Sequence, residues 1–138
     1  MSKSIAIVYY SQSGSTEKLV KLIQTHITAD ALALDDKGSF KAAAPDLGKY
    51  DTILVGGPNW AGTASGPVKA FLTANDLSGK DFAPFCTHGM GGEQNVTTDM
   101  AKLTPNAKIL PSLAVKGVEV DNSDALVINW LGLIGLNA

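Results

Sequence analysis

Short apolar runs alternate with amphipathic stretches along this chain. Runs at Ile5–Tyr9, Ala31–Leu34, Thr52–Gly56, Ala83–Cys86 and Leu113–Val115 have the length and residue types of buried strands. Between them apolar residues recur at helical spacing: Leu19, Leu22, Ile23 and Ile27; Val68, Phe71 and Leu72; and Leu126, Val127, Trp130, Leu131 and Ile134. A shorter pattern from Gln94 to Leu103 predicts one more helix ahead of the last. This alternation predicts a doubly wound α/β domain, a parallel sheet of five strands with helices on both faces. Residues 1–138 read as one domain with no linker, internal repeat or low-complexity tract.

In such a sheet ligands sit beyond the carboxyl ends of the strands, where the winding direction reverses. Three loops are expected there: Ser11–Thr16 after the first strand, Pro58–Ser65 after the third and Thr87–Gly92 after the fourth. The first places Ser11, Gln12, Ser13, Gly14, Ser15 and Thr16 between a strand and a helix. Hydroxyls and free backbone N–H groups at a helix N-terminus favour an anion. A serine-rich helix cap without a ligand is the simpler reading, but one hydroxyl suffices for a cap. The chain contains neither G-x-x-x-x-G-K-[ST] nor G-x-G-x-x-G, so the seat suits a single phosphomonoester rather than a triphosphate or a dinucleotide.

The loop Ser11-x-x-Gly14-x-Thr16 after an apolar strand ending in Tyr9 resembles the FMN phosphate-binding motif of flavodoxins. It departs from that pattern at Val20, where the family usually carries alanine. Gly56-Gly57-Pro58-Asn59-Trp60-Ala61-Gly62-Thr63 resembles the family's first isoalloxazine loop, and Cys86-Thr87-His88-Gly89-Met90-Gly91-Gly92-Glu93 resembles a glycine-rich form of the second. The resemblance implies a flavodoxin-like strand order 2-1-3-4-5 and FMN as cofactor. It also implies an electron carrier that cycles through quinone, semiquinone and hydroquinone states between redox partner proteins, a reductase and an acceptor. In that frame Trp60 stacks on one flavin face. The Ala61–Gly62 peptide turns over to offer its carbonyl to the flavin N5, a movement that glycine's conformational freedom eases. Many family members place a tyrosine on the other face. Here Met90 is assigned to it, with His88 the other candidate, and Gly89, Gly91 and Gly92 bring backbone N–H groups to the pyrimidine edge.

Other chemistries fit less well. Cys86 lacks the arginine six residues on that a cysteine phosphatase requires, since Gly92 stands there, and it reads as a buried strand residue. A phosphoacceptor fold needs acidic residues after the first and third strands, where this chain has Tyr9, Tyr10, Gly56 and Gly57. His26 and His88 have no companion metal ligands. Two alternatives to a carrier stay open: an NAD(P)H-dependent quinone or azo reductase on the same fold, and a flavodoxin-like activator of ribonucleotide reductase.

Composition adds bounds. The chain is 138 residues long with 45% hydrophobic and 17% charged residues, a globular balance able to bury a core. Eleven basic and thirteen acidic residues give a net charge of −2, so long-range steering of partners is weak. Asp35, Asp36, Glu93 and Asp99 are positioned to add local negative charge near the loops. No basic tract predicts nucleic acid, and no cationic amphipathic helix predicts a membrane surface. The N-terminal apolar run is too short for a signal peptide, and a lone cysteine suits a reducing compartment, so a cytoplasmic location is expected.

Overall fold

A computed structural model describes residues 4–12, 14–42, 46–89 and 91–136. The central strands are β1 (Ile5–Tyr9), β2 (Asp30–Ala33), β3 (Thr52–Trp60) and β5 (Asp81–His88), all parallel. A two-residue strand, β4 (Thr63–Ala64), folds back antiparallel on the end of β3. The fifth position of the sheet is divided between β6 (Lys108–Ile109), which pairs with the start of β5, and β7 (Leu113–Lys116), which pairs with its end. The expected order 2-1-3-4-5 is present as β2-β1-β3-β5 followed by this divided edge. The break falls at Pro111, which has no N–H to give to the ladder, and proline within a sheet belongs on an edge strand for that reason. Its carbonyl instead accepts the Trp130 indole N–H at 2.8 Å.

Helices α1 (Ser15–Gln24) and α4 (Asp124–Leu133) cover one face, and α2 (Gly66–Ala74) and α3 (Val96–Lys102) cover the other. The side-chain period of two along β1 divides the core accordingly. Ile5 and Ile7 join Leu19, Val20 and Ile23 of α1 and Val127, Trp130 and Leu131 of α4, whereas Ala6 and Val8 join Val68, Phe71 and Leu72 of α2 and Met100 of α3.

Two expectations are corrected here. Gly56 and Gly57 open the stretch that resembles a flavin-binding loop, yet both are buried inside β3, which runs on to Trp60. A Cβ on Gly56 would stand 2.2 Å from the Phe85 ring and one on Gly57 would stand 2.8 Å from Val68, so packing demands glycine at both. Leu126 was placed on the buried stripe with Trp130 but is 54% exposed. Helix α4 is apolar nearly all round, so periodicity alone does not tell which of its faces is turned inward.

Candidate functional site

The loop after β1 rises into α1 through Gly14, the N-cap, at φ +97° and with no side-chain capping bond. Lys18 donates its N–H to the Gly14 carbonyl, so helical bonding starts there and the amides of Ser15, Thr16 and Glu17 have no partner within the helix. The Ser11 Oγ accepts the Glu17 N–H at 3.1 Å, and Gln12 and Ser15 line a cleft. Thr16 behaves differently from expectation. Its side chain is buried and its hydroxyl pairs with that of Thr87 at 2.8 Å, tying the start of α1 to the end of β5 instead of pointing into the open. Ser13 and Met90 lie outside the described residues.

The second loop is a hairpin. Asn59 opposes Ala64 and Trp60 opposes Thr63, leaving Ala61 and Gly62 as a two-residue turn with φ of +53° and +89°. Positive φ at both central positions defines a type I′ turn, whose twist matches that of the flanking strands. Gly62 is therefore required by the turn as it stands; its freedom is already spent on the observed conformation rather than held for a rearrangement. Thr63 donates its hydroxyl to Asp99, docking the hairpin on α3. Trp60 is half-buried, its ring set edge-on to Tyr10 with centroids 5.6 Å apart and planes at 85°. The Tyr10 hydroxyl donates to Asp36 at 2.7 Å, and this bond, with a smaller contribution from burial, holds the phenol above its ordinary pKa.

The third loop closes on itself. His88 Nδ1 accepts the Gly92 N–H at 3.2 Å. Glu93 accepts the Ser112 hydroxyl, so Asp36, Glu93 and Asp99 all serve as local acceptors, while Asp35 accepts the Lys37 and Ser39 amides. Cys86 is buried, and burial, reinforced by the charge of Glu93, pushes its thiol up to about 12. No thiolate is available there for nucleophilic chemistry.

Between the loops lies a cleft of about 310 Å³. Gln12 and Ser15 come to it from the first loop, Pro58, Asn59 and Trp60 from the second, and Thr87, His88 and Gly89 from the third. Ser11, Gly14, Thr16, Ala61, Gly62, Thr63, Gly91 and Gly92, also expected at the site, do not line the cleft. Two lining residues escaped the sequence reading, Gly117 and Val118, at the start of the 3-10 segment after β7. A Cβ on Gly117 would stand 3.0 Å from the Ser15 Oγ, so glycine lets this segment close beside the first loop. Only the position of Gly117 just after a strand end pointed to it. A second cleft of about 340 Å³, between residues 72–78 and 103–107, lies by the amino ends of β5 and β6. Its one acidic group, Asp76, caps its own turn at Ser78. Among the described residues no cluster of His, Cys, Asp and Glu is suited to a metal, and no helix is long and apolar enough to cross a membrane.

The fold is a doubly wound α/β sheet, with a cleft at the carboxyl ends of its strands between the start of the first helix and the Trp60 indole. The comparisons with known proteins agree with that class. Residues 6–116 match the flavodoxin domain model, and the chain belongs to that family. Flavodoxins of two Nostoc strains are 33% identical over 60 residues, which is 44% of this chain and 34% of theirs, so the match spans about a third of those relatives. A WrbA-like flavodoxin of Agrobacterium tumefaciens superposes with a TM-score of 0.76 at 19% identity, covering 97% of this chain and 96% of its own. A flavoprotein of Lactobacillus acidophilus, solved in complex with FMN, superposes with a TM-score of 0.69 at 20% identity over 88% of this chain and 98% of its own.

Proposed function

We propose that the chain binds FMN in this cleft and carries electrons between partner proteins. The observation that carries the reading is the convergence of three loops, distant in sequence, on one crevice that offers anion donors on one side and an aromatic plane on the other. The fit is chemical as well as topological. Gly14 has no side chain to cap the helix and Ser11 takes only the Glu17 amide, which leaves the Ser15 and Thr16 amides for a phosphate, and Gln12 and Ser15 add polar groups without a cation. The indole of Trp60, backed by Tyr10, presents a surface for a flat ring to cover. When bound, FMN supplies one-electron chemistry, and the protein sets its affinity, orientation and exposure. In this scheme no side chain acts as acid, base or nucleophile, in keeping with the raised pKa of Cys86. The near-neutral charge of −2 favours partners recognised by shape over strongly basic ones.

Parallel calorimetric titrations with FMN and with riboflavin, which lacks the phosphate, test this. FMN is expected to bind at one equivalent and at least about 100-fold more tightly than riboflavin, because two or more charge-assisted hydrogen bonds are lost with the phosphate. Equal affinity for the two would remove the phosphate seat. Failure of the FMN-loaded chain to oxidise NADPH with a quinone, unless a separate reductase is added, separates a carrier from a reductase.

A further inference from the structure

Among the described residues only Ala61 (φ +53°) and Gln94 (φ +47°) place a side chain at positive φ. That conformation is unfavourable for any residue with a Cβ and persists where the surroundings over-determine it. Both lie beside the cleft, on different loops, and Asn59 joins them. Its Oδ1 accepts the Gly62 N–H at 2.9 Å, while its Nδ2 donates to the Gly92 carbonyl and to Gln94 Oε1, each at 2.9 Å. The Asn95 N–H returns to the Gly62 carbonyl at 2.8 Å. A Cβ at residue 91 would stand 2.9 Å from Gln94 Oε1, so a larger residue there would push the Gln94 amide aside.

Turning over the central peptide of a type I′ turn converts it to type II′, in which the first central residue keeps positive φ in a region suited to glycine and the second moves to negative φ. The first central residue here is Ala61, with a Cβ; the glycine stands second. The turn-over would thus break the Asn59 bond and strain Ala61, with nothing gained from Gly62. We propose that the Ala61–Gly62 peptide is locked with its N–H held by Asn59, and that Asn59 is a positioning residue that makes the hairpin turn and the 91–94 loop move as one unit. The consequence for electron transfer rests on the FMN reading above; the lock itself is a property of the chain alone.

Amide hydrogen exchange on the full chain without FMN tests the lock directly. Asn59→Ala, which removes the acceptor, is expected to raise Gly62 exchange about fivefold, the worth of one ordinary hydrogen bond, and Ala61→Gly, which removes the steric term at an exposed position, is expected to raise it as well. Asn59→Asp keeps an acceptor for Gly62 and restores its protection, but loses the donor to the neighbouring loop, so exchange at Asn95 rises instead. Unchanged Gly62 exchange in both releasing variants overturns the lock. With FMN bound, the same fivefold change widens the separation of the two one-electron potentials by about 40 mV, at 59 mV per tenfold. Faster exchange with unmoved potentials upholds the lock and overturns the placement of this peptide beside the cofactor.

Discussion

The start of α1 and the hairpin at Ala61–Gly62 treat their backbone polar groups in opposite ways. At Gly14 the helix begins with one first-turn amide, that of Glu17, taken by Ser11 and with those of Ser15 and Thr16 lacking a partner within the helix. At Gly62 the N–H is taken by Asn59 and the carbonyl by Asn95. Unclaimed donors at a helix end have free energy to gain from an anion, whereas groups already paired gain only what an exchange of partners returns. On this reasoning the first loop governs how tightly a phosphate is held, and the second governs how the bound group's electronic state is felt by the protein. One region supplies affinity and the other resistance to change.

Changes to the first region are expected to have the largest effects on binding. Ser15→Asp places a carboxylate at the seat and should weaken FMN binding by about 100-fold or more, roughly 3 kcal/mol, with little change in thermal stability because Ser15 is not buried. A smaller change than tenfold, read by titration calorimetry, would dissolve the contrast between the two loops. Next comes Trp60→Ala, expected to weaken FMN by about 10-fold or more through loss of a stacking surface, on the scale of roughly 1 to 3 kcal/mol known for bases on aromatic side chains. Flavin fluorescence, quenched on binding to the native chain, reads it.

Gly62→Val acts on the turn itself. At φ +89° a β-branched residue is strained, and a loss of about 1–2 kcal/mol in denaturant unfolding is expected. An unaltered midpoint would mean that the turn relaxes away from type I′ at no cost. The smallest effect is that of Tyr10→Phe, which removes the bond to Asp36 and leaves the edge contact with Trp60. It should cost about 1 kcal/mol and shift indole emission while changing FMN affinity less than threefold.

The sheet and its winding were legible because β1, β3 and β5 are apolar runs bounded by turn residues, and the three loops follow from where those strands end. What escaped depends on distant partners. Gly56 and Gly57 look like turn glycines until Phe85 and Val68 are seen to occupy the space a Cβ would fill. The Thr16–Thr87 hydroxyl pair joins positions 71 residues apart, which no local pattern encodes. Leu126 was misplaced because α4 carries apolar residues on all sides, and Val118 was missed because an exposed valine after an edge strand has no chemistry of its own. The site's polar loops were readable from composition; their hydrogen-bonding state was not, and that state distinguishes the two halves of the cleft.

One measurement bears on all of this at once: an amide-resolved NMR titration of the full chain with FMN. The account predicts that the amides of Ser15 and Thr16, the Trp60 indole N–H and the amides of His88 and Gly89 shift together and saturate at one equivalent. Shifts confined to one of these loops, or to the cleft formed by residues 72–78 and 103–107, would contradict it.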